Sequence, residues 1–177
     1  MLHGVIDLID TRILRELQKD SAMSAVDLAA KVGISQSQCW RRIQQLREDG
    51  YIRAQVTLLN RKQLGLNAQI FALIKLSSHG RANLHEFSDA VGRFPEVLEC
   101  YLLMGSFDFL LKIVATDVEG YEKFFFNSIS KIPGVQEVNS FLALSEIKST
   151  TELPIPAPTA PKKAPPLMKS KAASRVT

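Results

Sequence analysis

The stretch SAVDLAAKVGISQSQCWRRIQQLREDG, residues 24–50, restricts the possible folds more than any other part of the chain. Two short amphipathic segments flank Gly33, and each is preceded by a serine, Ser24 or Ser35. A serine hydroxyl at that position can accept the amides that a helix's first turn leaves unpaired. Asp27 and Gln38, three residues further on, suit capping boxes. Gly33, clamped between Val32 and Ile34, can adopt the left-handed backbone that ends the first segment. The pattern predicts two helices joined by a tight turn, a helix-turn-helix over about residues 25–48.

At 100° per residue, Cys39, Ile43 and Leu46 fall on one side of the second helix, Gln36 to Glu48, and belong in a core. Ser37, Gln38, Arg41, Gln44 and Gln45 lie opposite. Arg and Gln carry forked donors and acceptors that match guanine and adenine edges in a major groove, while Ser37 and the helix start at Ser35 can hold a phosphate. Arg42 sits on the flank, suited to backbone contact. The competing reading is a solvated surface helix, which the paired caps and short turn make less apt.

Charge is divided unevenly. Residues 1–62 carry ten Lys+Arg against seven Asp+Glu, residues 63–152 seven against eleven, and residues 153–177 five against none. Positive charge thus accompanies the candidate reader and the C-terminal segment, as expected if only these approach a polyanion. No apolar run nears the ~20 residues of a membrane span, and MLHGVIDLID lacks the basic lead and apolar core of a signal peptide, so a cytoplasmic protein is expected. Cys39 and Cys100 show no metal-ligand or disulfide spacing, and each is expected to pack as a small apolar residue.

Before the reader, Asp7 caps a first helix to Lys19 whose stripe of Leu8 or Ile9, Ile13, Leu14 and Leu17 provides a floor. Three marginal helices then share one core of Ile13, Leu17, Leu28, Val32, Cys39, Ile43 and Leu46. Trp40 is expected to pack between helix and following chain rather than stack on bases. In YIRAQVTLLN the near-alternation of Ile52, Val56 and Leu58 predicts a strand or wing. Arg53 is either a sugar-phosphate contact there or a solvent-facing residue. NRKQLGLN reads as a connector.

From Ala68 the chain alternates: strand NAQIFALIKLSS, helix ANLHEFSDAVGRF with Leu84, Phe87 and Val91 on one face, strand VLECYLLM, a turn at Gly105, strand SFDFLLKIVAT, helix EGYEKFFFNSIS and strand VQEVNSFLAL. The order βαββαβ closes as a ferredoxin-like sandwich, an antiparallel sheet with both helices on one face. Its other face stays apolar, and a second copy is its simplest cover, which predicts a dimer. The fold class is α+β. Expected boundaries are 6–60 for the winged helix-turn-helix, 61–67 for a hinge, 68–153 for the ferredoxin-like domain and 154–177 for a disordered Pro/Ala/Lys-rich tail. That tail is either an aid to non-specific DNA binding or inert.

In the stretches DLIDTRILRELQKDSAMS, DLAAKVGISQSQCWRRIQQLREDGYI, VLECYLLMGSFDFLLKIVATD and KIPGVQEVNSFLALSEIKST, at this order and spacing, the chain resembles the Lrp/AsnC family of leucine-responsive, feast/famine transcriptional regulators of bacteria and archaea. The resemblance covers roughly Ile6 to Leu153. It implies double-stranded DNA as partner, a hinge strand, and a C-terminal domain that dimerises, often on the way to octamers. An amino acid or related metabolite then binds between those domains and shifts assembly or DNA affinity. The corresponding effector loop is Met104, Gly105, Ser106, Phe107 and Asp108. Amides freed at Gly105 can take an α-carboxylate, and Asp108 can pair with an α-ammonium. Equally, Gly105 and Asp108 can simply make the hairpin turn. Glu99 and Tyr101 share a strand face and can complete a pocket across a subunit boundary. The family usually has Ser or Thr before the glycine and often an acid after it. Met104 and Ser106 stand there instead, which makes room for a larger, less polar effector or a weak response.

A sequence-specific transcription regulator with no cofactor and no catalytic role is the leading expectation, associated with the nucleoid. Two alternatives come from other classes. A related fold serves as a subunit of sirohaem decarboxylases, but its pocket needs basic and His residues, and His3, His79 and His85 suit solvated roles better. An architectural, DNA-compacting protein is suggested by the basic tail.

Overall fold

The computed structural model describes residues 6–78 and 84–156 and divides into two compact units, Met1–Val56 with Thr150–Thr177, and Thr57–Ser149. His3 and His79, and the tail beyond Pro156, lie outside the described residues.

The first unit holds α1 (Leu8–Lys19), α2 (Ala25–Val32) and α3 (Gln36–Glu48). Asp7 starts α1 with a full capping box: its carboxylate accepts the Asp10 amide at 2.8 Å and its own amide donates to the Asp10 carboxylate at 3.1 Å. Ser24 and Ser35 cap the next two helices by accepting the amides of Asp27 and Gln38, but neither box closes reciprocally. The Ser24 hydroxyl donates to the Asp27 carboxylate instead, at 2.6 Å. Gly33 ends α2 at φ 78°, a left-handed angle that strains any residue with a Cβ, and delivers the chain directly to the Ser35 cap. Ile13, Leu28, Ala29, Val32, Cys39, Ile43 and Leu46 are buried together, with Leu17 at the margin.

One expectation fails. Residues 52–60 form no strand, and Val56, Leu58 and Leu59 stand exposed. Alternation supplies strand propensity, but a strand also needs a hydrogen-bonding neighbour, and among the described residues this segment has none.

The second unit is βαββαβ: β1 (Ala68–Leu76), α4 (Leu84–Val91), β2 (Val97–Leu102), β3 (Phe109–Ala115), α5 (Val118–Asn127), a 3-10 turn at Ile129–Lys131, and β4 (Val135–Leu142). The strands are ordered β2-β3-β1-β4 and every pairing is antiparallel. Period-two alternation sorts the sheet's faces. Ile70, Ala72, Ile74, Leu76, Phe109, Leu111 and Ile113 are buried with Phe87 and Val91 of α4 and Phe124 of α5, and the rings of Phe87 and Phe109 meet at 4.5 Å. The opposite face carries Phe71, Leu73, Leu110, Tyr101 and Phe141, none of them buried. The expected hinge turns back on its own unit: the Arg61 guanidinium donates to the carbonyls of Leu66 and Asn67 at 2.7 and 3.0 Å.

Candidate DNA-reading face and effector loop

On α3 the buried side chains Cys39, Ile43 and Leu46 orient everything else. Ser37, Gln38, Arg41 and Gln45 are exposed and Gln44 is half-buried, all turned from the core. Ser35 and Ser37 stand hydroxyl to hydroxyl at 3.3 Å at the helix start, where Ser35 accepts the Gln38 amide and the amides of Gln36 and Ser37 have no partner among the described residues. Gln45 donates to the Asp49 carboxylate at 3.0 Å, which steadies its amide. No hydrogen bond or ion pair among the described residues engages the Arg41 guanidinium, so both edges of its fork are available to a ligand. Arg53 is exposed on the extended segment after the helix. Burial pushes the Cys39 thiol up, as suits a packing residue.

Arg42 is placed differently from its expected backbone contact. Its Nη1 meets the Asp7 carboxylate at 2.8 Å and the Asp10 carboxylate at 2.7 Å, tying α3 to the start of α1. Burial alone would raise the Asp7 carboxyl, but the Asp10 amide and the Arg42 guanidinium outweigh it and hold it below the usual range. Beside this clamp lies an open cleft of about 300 Å³ bordered by Asp10, Arg41, Gln45, Asp49 and Tyr51, continuous with the reading face. Trp40 was expected to pack, yet it is 59% exposed. At 100° per residue it falls about a quarter-turn from the buried stripe, and that angle was the signal that it borders the reading face.

In the second unit Met104, Gly105 and Ser106 form an exposed turn between β2 and β3, closed by the Leu103 amide donating to the Asp108 carbonyl at 2.8 Å. Gly105 has φ 156°, at the edge of the region where only glycine is relaxed. Asp108 reaches inward: its carboxylate accepts the Leu76 amide at 2.7 Å and its own amide donates to the Ile74 carbonyl at 2.8 Å, stapling the hairpin to the end of β1. The turn-forming role therefore accounts for its position without a ligand. Glu99 and Tyr101 share the outer sheet face as expected, with Lys112 between them and the centre of the sheet. Lys112 and the Tyr101 hydroxyl donate to the Glu99 carboxylate at 2.9 and 2.7 Å and hold it below the usual range. The structure thus forms a Glu99–Tyr101–Lys112 cluster, and Lys112 was missed because its partner lies 13 residues away on another strand.

A three-helix unit whose last helix presents a polar, cationic side, joined to a separate ferredoxin-like unit, defines a two-domain DNA-binding regulator. Residues 6–53 match the winged helix-turn-helix DNA-binding domain and residues 69–153 match the Lrp/AsnC ligand binding domain. The chain is 39% identical over 151 residues to the transcriptional regulator AzlB of Bacillus subtilis, covering 85% of this chain and 96% of that one. It is 34% identical over 150 residues to the leucine-responsive regulatory protein of Escherichia coli, covering 85% and 92%. Among solved structures, an AsnC family transcriptional regulator from Agrobacterium tumefaciens superposes with a TM-score of 0.80 at 44% identity, over 84% of this chain and 97% of that one. A transcriptional regulator from Neisseria meningitidis, solved as a complex with L-Met, superposes at 0.81 with 34% identity, over 84% and 96%. The chain belongs to the Lrp/AsnC family of transcriptional regulators.

Proposed function

We propose that the chain is a sequence-specific DNA reader that works as a homodimer, assembling further toward an octamer, and that an amino acid or related small metabolite tunes its assembly or affinity. The observation that carries the reading is the Arg41 fork, unengaged among the described residues, on an α3 face set opposite Cys39, Ile43 and Leu46. Gln38, Arg41, Gln44 and Gln45 meet base edges, Ser35 and Ser37 with the helix start meet a phosphate, and Arg53 meets the sugar-phosphate backbone. Arg42 contributes by holding α3 at its angle to α1. The apolar outer face of Phe71, Leu73, Leu110 and Phe141 is the surface a second copy covers, and a two-fold pair would offer two reading helices to one duplex.

The effector reading draws support from the Neisseria meningitidis relative solved with L-Met and from the Met104–Gly105–Ser106 turn. Amides at Gly105 receive the α-carboxylate, the Glu99 carboxylate accepts a hydrogen bond from the ammonium beside its existing Lys112 and Tyr101 donors, and Met104 gives the side chain an apolar wall. Asp108 serves by holding the turn. A thermal-shift screen of the amino acids on the full chain tests this. A ligand at a hundred times its Kd adds about 2.7 kcal/mol of stability, so a binder is plainly visible, and a flat response across all of them defeats the effector reading.

The DNA reading is tested by Arg41→Ala in competition binding. The affinity ratio between the chain's own promoter and a scrambled duplex should fall about 5- to 150-fold, corresponding to about 1–3 kcal/mol for a bidentate base contact. A wild-type chain with no preference between the two duplexes would instead favour an architectural role.

A further inference from the structure

Trp40 is the only tryptophan of the chain, and it stands 59% exposed on a helix whose other apolar side chains, Cys39, Ile43 and Leu46, are all buried. Covering such a ring removes about 150–250 Å² from water, so most of what this indole can gain by burial is still open to a partner. At 100° per residue it falls between the buried stripe and the reading face, with Ser37 one turn before it and Gln44 one turn after it. The two flanks of α3 therefore differ. On the other flank Arg42 is tied by ion pairs to Asp7 and Asp10, whereas no hydrogen bond or ring contact among the described residues engages Trp40.

A duplex offers such a side chain little choice. Base faces are stacked on one another inside the helix, and an indole has one donor and no acceptor, so it cannot make a two-bond contact to a base edge. The apolar group that the major groove does present is the thymine C5-methyl. We propose that Trp40 packs against a thymine C5-methyl at the margin of the base pairs met by Arg41 and Gln44, and so selects thymine at one position of each half-site. The inference rests on the DNA reading above and adds to it an apolar contact that the polar side chains of α3 do not provide.

Deoxyuridine lacks that methyl and keeps every hydrogen-bonding group of thymidine. The test replaces each thymine of the chain's own promoter singly by deoxyuridine and measures the affinity of the full chain. Replacement at one thymine per half-site should weaken binding about fourfold, the effect of leaving one methyl group uncovered. The factor should be the same at low and high salt, because no phosphate contact changes. Trp40→Ala, which leaves the core untouched, should bind the thymine and deoxyuridine duplexes equally, and Trp40→Phe should keep part of the preference. With a single indole in the chain, fluorescence reports on this side chain alone, and the promoter duplex should shield it from quenching by acrylamide. Affinity indifferent to every replacement overturns the proposal, as does a methyl preference undiminished in Trp40→Ala, or an indole equally open to acrylamide with and without the duplex. A wild-type chain with no preference for its promoter over a scrambled duplex would sink the DNA reading and this inference with it. Promoter preference combined with indifference to deoxyuridine would remove the role of Trp40 and leave that reading intact.

Discussion

The two units handle apolar surface in opposite ways. In the reader unit the stripes of three short helices converge on Ile13, Leu28, Cys39, Ile43 and Leu46, and what α3 turns outward is polar. In the regulatory unit the sheet has two apolar faces, and its helices cover one: Ile70, Ile74 and Leu111 are buried while Phe71, Leu73 and Leu110 on alternate positions are not. A helix with one apolar stripe is satisfied by two neighbours, whereas a sheet carrying apolar residues at odd and even positions needs a layer on each side. The apolar stripes of the reader are thus satisfied within one chain, whereas among the described residues the regulatory unit leaves one apolar sheet face without a covering layer.

The contrast can be broken most forcefully in the reader's core. Ile43→Ala removes buried methyl groups from a small core and should cost the reader about 2–5 kcal/mol, enough to unfold it selectively. Hydrogen exchange should then rise across α1 to α3 and stay slow in β1 and β3. Uniform loss of protection in both units would show that they are not separately stabilised. Next in size is Leu73→Arg on the outer sheet face. A buried cation at a paired surface should weaken dimerisation by roughly a hundredfold, about 2.7 kcal/mol, read as a concentration-dependent mass by light scattering. The same substitution should leave the unit folded, because Leu73 does not belong to the helix-covered core.

A smaller effect is expected at the clamp. Arg42→Met should destabilise the reader by no more than about 1 kcal/mol, since the ion pairs to Asp7 and Asp10 face water in part and are screened by salt. Its pH signature is sharper than its size. The Asp7 carboxyl is held below its ordinary value, so its contribution is complete above the unfolded-chain value near 3.9 and disappears as pH falls through the lower folded one. Chemical denaturation between pH 6 and pH 3, an interval of about three units spanning that range, should show the wild-type advantage over Arg42→Met shrinking toward the acid end. An advantage that is constant with pH would locate the effect of Arg42 in packing alone.

Where the structure follows the sequence closely, the signal is local. Ser35, Gly50 and the Cys39–Ile43–Leu46 spacing lie within α3 or at its ends, so the helix could be bounded without knowing what surrounds it. The βαββαβ order was legible for the same reason, each element carrying its own period. Much of what the sequence did not disclose involves partners far along the chain. Arg42 looks like a flank residue until Asp7 and Asp10, more than 30 positions earlier, are placed beside it. Asp108 is a plausible ammonium ligand until the Leu76 amide, 32 positions away, is found on its carboxylate. The hold of Gln18 on the Leu153 amide spans 135 positions. Residues 52–58 have strand propensity without a strand, because propensity is local and a ladder is not.

The most direct measurement is a hydroxyl-radical footprint of the full chain on its own promoter, beside that of Arg41→Ala. Paired reading helices should protect segments centred about 10–10.5 base pairs apart, or a whole multiple of that, and Arg41→Ala should weaken them relative to flanking protection. Unbroken protection without helical phasing, or a footprint indifferent to Arg41, would contradict the assignment of α3 as the reading element of a paired molecule.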